Sequence, residues 1–206
     1  MKKPWKVFWS EIILDDIVLI LNVSTFEGQK IGELVPITTK SLSQDYIISS
    51  LTEWRKKYRK FFFTEFRPNN NRTRDWLKNT VLSNESQMLF LIYSDNSLIG
   101  HYGFKDLTDN SVLMDNLIRG VSGGHQKLIE RSIMSLISWL FINLDIESVR
   151  GSILSDNPFA MIVNKAIGFE YSGLEKNPLP DGRYSRDIIL TRTSWEKKSK
   201  VWWENF

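Results

Sequence analysis

Arg119-Gly120-Val121-Ser122-Gly123-Gly124 stands between an aliphatic run at 112–118 and a long apolar-periodic stretch that starts near Ile129. A glycine-rich turn between a strand and a helix leaves backbone N–H groups unpaired at the positive end of the helix dipole, which suits it to cradle a phosphate or pyrophosphate. Just upstream, Leu113, Asp115 and Leu117 alternate onto one strand face, so the Asp115 carboxylate is expected between two leucines on a buried side. Burial raises a carboxylate's pKa and fits it to accept a proton near neutrality; the structural alternative is a carboxylate tied to local N–H groups. His101, between Gly100 and Gly103 in a strand, is a second candidate base, with the glycines expected to leave space for a ligand. An unperturbed imidazole titrates at about 6.5, and the alternative is a core histidine bonded to a neighbouring carbonyl.

Periodicity supplies the elements that must hold these groups. Apolar stretches at 7–14, 17–23 and 31–37, broken by Asp15-Asp16 and Gly28, read as strands joined by turns. From Ser41 the pattern is helical, with Tyr46, Ile47, Leu51, Trp54 and Tyr58 along one stripe. A short helix over 73–82, capped by Thr73, follows the breakers at 68–71. Strands at 88–93 and 98–104 form a hairpin through Asp95-Asn96, and 112–118 is the strand before the glycine loop. Ile129, Ile133, Ile137, Leu140 and Leu144 define the long helix after it. A strand at 149–154, a helix opened by Asp156-Asn157-Pro158 and closed by Gly168-Phe169, a strand at 184–191 and a basic, Trp-rich tail at 194–206 complete the chain.

The 206 residues are 42% hydrophobic and 25% charged, which excludes disordered and low-complexity architectures and sets one domain over 1–206 as the expectation. There is no cysteine, so disulfides, thiolate metal sites and a cysteine nucleophile are excluded; no metal is expected, and a reducing, cytoplasmic location is. No stretch reaches the roughly eighteen apolar residues of a membrane span. Met1-Lys2-Lys3 before an apolar run mimics a signal peptide, but Asp15 and Asp16 interrupt the run and no small-residue cleavage site follows, so retention is expected. The net charge is +3, yet residues 53–78 hold nine Lys/Arg against three Asp/Glu. Such an excess either meets phosphate groups or is a solvated helix face.

The order of strand, Arg119-to-Gly124 loop, long helix, strand, helix with Asn157 and Ala160, and Gly168-Phe169 resembles the GNAT superfamily of acyl-CoA N-acyltransferases over roughly residues 30–192. The resemblance implies an α/β (α+β) GNAT-like fold, with a central mixed, mostly antiparallel sheet splayed at the cofactor site and helices on both faces. It implies acetyl-CoA as cofactor. More narrowly, Glu53-Trp54-Arg55, Gly100-His101-Tyr102-Gly103, the segment Asp115 to Gly120, and Ser155-Asp156-Asn157 resemble the branch that acetylates nucleotide-linked amino sugars, as in the pseudaminic-acid pathway. Residues 1–27 and 194–206 exceed the minimal fold and are open to a role as a lid, a dimer contact or a membrane-peripheral surface, with Trp202, Trp203 and Phe206 as a docking end.

By the same resemblance the backbone of Arg119, Gly120, Ser122, Gly123, Gly124 and His125 binds the pyrophosphate as a group. Ser122 stands at the usual central glycine, and a one-residue insertion would move that role to Gly123 and the last position to His125. A backbone N–H near Asn116 or Leu117, on the strand that ends at Ile118, would polarise the thioester carbonyl. Asn157 would bond the pantetheine arm, or cap its helix, or both. Asn164 occupies the position of a tyrosine that protonates the leaving thiolate; a carboxamide can bond the thioester but cannot supply that proton, so a water or a proton from the substrate must serve. Trp54, Arg55 and Arg59 would line the acceptor side, against a core role for Trp54 and exposed charge for the arginines.

The leading expectation is an acetyl-CoA-dependent N-acetyltransferase that works by direct attack of a primary amine, a small-molecule acceptor, on a nucleotide-linked sugar. A protein N-terminus, an aminoglycoside or a polyamine are the alternative acceptors. Nucleic-acid binding by the basic segment with Trp54, Tyr58, Phe61, Phe62, Phe63, Phe66 and Trp76 ranks below these, because three consecutive phenylalanines pack more readily than they stack on bases. A silent GNAT-fold protein that binds coenzyme A without turnover, and a homodimer, complete the possibilities.

Overall fold

The first apolar stretch is a helix rather than a strand. In the computed structural model, which describes residues 4–63, 66–173 and 176–204, α1 (Trp5–Ile13) sets Trp5, Phe8, Trp9 and Ile12 at three- and four-residue intervals on one side. That spacing outweighs the strand-forming residue types within it. Trp5 Nε1 donates to the Glu85 carbonyl at 2.6 Å and Trp9 Nε1 to that of Gln87 at 3.0 Å. The Trp5 ring lies 6.0 Å from Phe104 and 6.3 Å from Trp139. The described part of residues 1–27 is therefore no appendage: Ile12 of α1 and Leu21 and Val23 of β1 (Leu21–Ser24) belong to the main core. The signal-like Met1-Lys2-Lys3 lies outside the described residues, and the docking end rests on side chains of Trp202, Trp203 and Phe206 that lie outside them too.

Strands β2 (Lys30–Pro36), β3 (Met88–Ser94), β4 (Ser97–Lys105), β5 (Ser111–Arg119), β6 (Ser148–Leu154), β7 (Glu170–Tyr171) and β9 (Tyr184–Thr191) continue from β1 in the order β1-β2-β3-β4-β5-β6-β9-β7, with β8 (Asn177–Pro178) also on β9. Neighbours are antiparallel except β5 and β6, which are parallel. Parallel neighbours need a long crossover, and α4 (Leu128–Asn143) provides it. The β3–β4 turn has Asp95 at φ 48° and Asn96 at φ 62°, the left-handed pair that a two-residue hairpin takes and that these residue types tolerate.

Both faces are covered, which explains why β3 is apolar without a break. Met88, Phe90 and Ile92 enter the core shared with α1, α4, α5 (Pro158–Ile167) and Trp195 of α6 (Arg192–Glu204). Leu89 and Leu91 enter a second core with Ile47, Ile48, Leu51 and Trp54 of α2 (Asp45–Lys57) and with Leu77 and Val81. The helix expected at 73–82 begins earlier as α3 (Asn70–Trp76) and continues as a π turn, Leu77–Val81. Its cap is Asn69, which accepts from Arg72 N at 2.9 Å. Thr73 is interior and buried, its hydroxyl 2.7 Å from that of Thr52.

Helix α6, which begins two residues before the tail, is a clamp where it is described. Arg192 donates to the carbonyls of Phe141, Leu144 and Ile146 at 2.7–3.0 Å, closing the C-terminal end of α4, and Lys198 donates to the Ala166 carbonyl at 2.9 Å at the end of α5.

Candidate active site

Strands β5 and β6 part company. They pair only from Ser111 with Ser148 to Leu113 with Arg150, while β6 goes on pairing with β9 as far as Leu154. From Met114 to Arg119 the β6-facing edge of β5 is thus unpaired among the described residues, and a V opens toward the glycine loop. Opposite, the β4–β5 register slips between His101 and Gly103, and Asn116 takes a φ of 57°. This bulge reverses the faces of β5: Val112 and Met114 pack in the α4-side core, but Ile118 packs on the α2 side. The expected burial of Asp115 between Leu113 and Leu117 therefore fails. Leu117 is 38% exposed, and the Asp115 side chain is 35% exposed. Asp115 Oδ2 accepts from Lys105 Nζ at 2.9 Å and from Asn116 Nδ2 at 2.8 Å, and Oδ1 has no hydrogen-bond partner among the described residues.

The glycine loop divides into two halves. Gly120 and Val121 donate their N–H groups to the Ile99 carbonyl at 2.8 and 3.2 Å, so these amides are not available to a phosphate. Gly120 is needed for packing, because a Cβ there would lie 1.9 Å from the Trp54 indole. Ser122, Gly123 and Gly124 are exposed residues, and their N–H groups have no partner among the described residues. Gly123 and Gly124 have φ of 135° and 68°, which only glycine takes without strain, and Arg119 Nη2 holds the turn by donating to the Gly123 carbonyl at 2.7 Å. His125 is inside the approach to α4: its carbonyl accepts from Leu128 N at 2.9 Å and its Nδ1 from Lys127 N at 3.1 Å. Three amides without a partner among the described residues, ahead of a 16-residue helix, are what the loop offers an anion, a narrower set than the expected group.

His101 is fully buried, its ring stacked on Trp54 with centroids 6.1 Å apart. Gly100 and Gly103 do not make room for a ligand. A Cβ at Gly100 would meet the Ile118 carbonyl oxygen at 2.1 Å, and one at Gly103 that of Met88 at 2.3 Å, so both glycines let neighbouring strands approach. Neither ring nitrogen has a hydrogen-bond partner among the described residues. Burial first and the Arg55 charge second push the imidazole down to about 3, against a smaller upward pull from the Asn116 backbone. A neutral, inaccessible ring of that basicity is no general base.

Trp54 is a core anchor, 6% exposed. Arg55 is not the exposed charge that its helix position suggested. Its guanidinium lies over the rings of Trp76 at 3.9 Å, Phe66 at 4.6 Å and Phe62 at 5.3 Å, and its buried Nη1 has no partner among the described residues. Burial lowers it to about 10, with Asp115 opposing. Arg59, in the 3₁₀ turn Arg59–Phe61, is exposed. Asn157 is the N-cap of α5, accepting from Ala160 N at 3.1 Å. Asn164 turns its Nδ2 back onto the Ala160 carbonyl at 2.8 Å. Lys105 and the aromatic enclosure of Arg55 are site features that sequence reading missed. Lys105 had a local signal, since it follows His101 by four residues on the strand that pairs with β5.

Among the described residues no helix is long and apolar enough to cross a membrane, and no group of three or more His, Asp or Glu is placed to hold a metal ion.

The family model described as an acetyltransferase (GNAT) domain matches residues 44–185. Among solved structures, the chain is similar to the acetyltransferase from Salmonella typhimurium that modifies the N-terminal serine of 50S ribosomal subunit protein L7/L12, with 16% identity, a TM-score of 0.68, and 84% of this chain and 99% of that one covered. Spermidine N-acetyltransferase from Vibrio cholerae, solved with CoA and spermine, has 12% identity and a TM-score of 0.64, covering 79% of this chain and 96% of that one. An aminoglycoside acetyltransferase solved with coenzyme A and kanamycin has 19% identity and a TM-score of 0.64, covering 81% and 98%. Identities this low establish a common fold. No curated protein matches the sequence at a significant level.

Proposed function

The chain belongs to the GNAT acetyltransferase family, and from that premise we propose that it transfers the acetyl group of acetyl-CoA by direct attack of the amino group of a nucleotide-linked sugar. It is an acetyl-CoA-dependent N-acetyltransferase; the acceptor and the residue roles are the proposal. One observation carries the reading: the unpaired edge of β5 leads into three amides ahead of α4 that have no partner among the described residues, with Trp54 of the basic segment packed on Gly120 at the start of that loop.

The residues present fit the cofactor. The N–H groups of Ser122, Gly123 and Gly124 would hold the pyrophosphate at the positive end of α4. The β5 edge at Asn116 and Leu117 would bond the pantetheine arm and the thioester carbonyl, and Asn157 would keep its cap while its amide nitrogen faces the arm. Acetyl-CoA supplies an activated acetyl thioester.

The chain must then present a neutral amine and take its proton. Asp115 is the proposed acceptor of that proton through Oδ1, since Lys105 and Asn116 already occupy Oδ2. With no cysteine, an acyl-cysteine route is closed. Asn164 carries no proton to give, so the departing thiolate takes one from solvent or, passed on from Asp115, the one that the amine lost. The absence of cysteine suits a reducing compartment, and the cytoplasm is the proposed location.

The test is a calorimetric titration of acetyl-CoA, followed by measurement of free thiol against nucleotide-linked amino sugars, spermidine, kanamycin and a seryl peptide. Thiol release on the sugar nucleotide supports the acceptor; release only on a cationic amine or a peptide overturns it.

A further inference from the structure

Arg186 puts a charge on the buried stripe of β9. Residues 186, 188 and 190 share one strand face, and Ile188 and Leu190 on it belong to the main core. Arg186 pairs with Ile153 of β6, and Tyr171 of β7 pairs with Ile188, so Ile153, Arg186 and Tyr171 lie on that same face. Strand β7 ends at Tyr171, and β8 begins at Asn177, opposite Ser185. The edge of β9 beside Arg186 is thus left without a partner strand among the described residues. A cavity of about 180 Å³ opens there, lined by Ile153, Ser155, Met161 of α5, Tyr171, Lys176 and Arg186.

The lining has two cations and no carboxylate among the described residues. Neither Arg186 nor Lys176 has a hydrogen bond or an ion pair there. Asp187, next to Arg186 in the chain, is on the opposite face of β9, where its Oδ2 accepts from Asn177 Nδ2 at 2.9 Å. The Arg186 guanidinium carbon lies 4.7 Å from the centroid of the Tyr171 ring. Such stacking engages the face of the guanidinium and leaves its N–H edge to an acceptor in the plane. The Ser155 hydroxyl adds a neutral donor. The cavity is smaller than the roughly 300–1,000 Å³ of sites that enclose a whole ligand, so it takes one group rather than a nucleotide. Charge selects the group: a carboxylate answers one cation, whereas a phosphate of charge near −2 answers both and accepts two bonds from the arginine fork.

We propose that Arg186 and Lys176, with the Ser155 hydroxyl, form a second anion site, which takes a phosphate group and is separate from the amides of Ser122, Gly123 and Gly124. The sheet order places it apart: the V opens between β5 and β6, whereas the cavity lies over β6, β9 and β7, on the other side of β6. A phosphate held there ties Lys176 and β9 to Ser155, in the turn that carries Asn157 and opens α5. The inference goes beyond the acetyl-transfer reading and does not rest on the acceptor proposed above.

The test is a calorimetric titration of inorganic phosphate into the full chain at constant ionic strength. One saturable site is expected in the wild type, and it is expected to persist with coenzyme A in excess and in Gly124→Val, where the glycine loop is disturbed. Arg186→Gln is expected to bind phosphate about tenfold or more weaker, with Arg186→Lys, which keeps the charge but loses the fork, between the two. Lys176→Gln changes an exposed residue, which keeps the test open should Arg186→Gln fail to fold, and is expected to bind about threefold weaker. No saturable binding by the wild type, or affinity unchanged in Arg186→Gln or in Lys176→Gln, would overturn the site. Displacement of phosphate by coenzyme A, or its loss in Gly124→Val, would assign the phosphate to the glycine loop and overturn the second site as well.

Discussion

His101 makes stability depend on pH in a way that its sequence context hides. Burial and the Arg55 charge lower the imidazole from 6.5 to about 3 in the folded chain. The unfolded chain protonates at the ordinary value, so below it the unfolded state binds a proton that the native state refuses, and stability falls as pH falls. Above 6.5 this contribution is constant; between 6.5 and about 3 it is lost at about 1.36 kcal/mol per pH unit. At pH 5 the loss is about 2 kcal/mol, or about 4–8 °C in Tm for a chain of this size. The assay is urea unfolding of wild type and His101→Gln at pH 7 and pH 5. Carboxylates titrate in both proteins, so the difference between their two losses isolates His101, whatever constant cost the substitution carries. The wild type is expected to lose about 2 kcal/mol more than His101→Gln. Equal losses in the two proteins would show that the ring is reached by protons in the native state and that the buried, neutral assignment is wrong.

Three further outcomes are expected. Asp115→Asn should lower kcat by about 10²- to 10³-fold with the acetyl-CoA Kd from calorimetry nearly unchanged; undiminished turnover would remove Asp115 from the chemistry. Gly124→Val puts a Cβ 2.9 Å from Leu128 Cδ2 and Ser94 Oγ at a φ of 68°, and should weaken acetyl-CoA binding by about tenfold or more in the same titration. Arg192→Met removes the donors that close the end of α4 on Phe141, Leu144 and Ile146 and should cost about 2–4 kcal/mol in urea unfolding, with acetyl-CoA affinity retained in the folded fraction.

The cofactor side of the molecule was legible because its signals are local. A strand, a glycine turn and a periodic helix follow one another within the chain, and Asn157, Gly168 and Phe169 mark the ends of the next helix with residue types that have few other uses there. What failed was the extrapolation of a regular period through an irregular place. Leu113, Asp115 and Leu117 share a face only if β5 stays in register, and the bulge at Asn116 reverses it. The stretch at 7–14 failed for a related reason: Trp5, Phe8, Trp9 and Ile12 carry both strand-forming types and helical spacing, and the spacing decided.

Glycine was the residue most easily misread. Gly100 and Gly103 look like space for a ligand and Gly120 like part of the phosphate loop, yet the space at each is filled by the protein itself, by the carbonyls of Ile118 and Met88 and by the Trp54 ring. Among the described residues, Gly123 and Gly124 are the glycines that combine a positive φ with an amide that has no partner. A sequence cannot separate the two kinds, because the partner that fills the space comes from a distant strand or helix. The same distance explains the acceptor side: Lys105 on Asp115 and the rings of Phe62, Phe66 and Trp76 around Arg55 are meetings across elements. The free amides that bind a cofactor common to the family are written into one loop, whereas the groups that would choose among amines are brought together only by the fold. It follows that substitutions at Arg55 and Lys105 should alter the choice of acceptor while leaving acetyl-CoA affinity in place, and that grafting the loop alone would carry the cofactor site but not the choice.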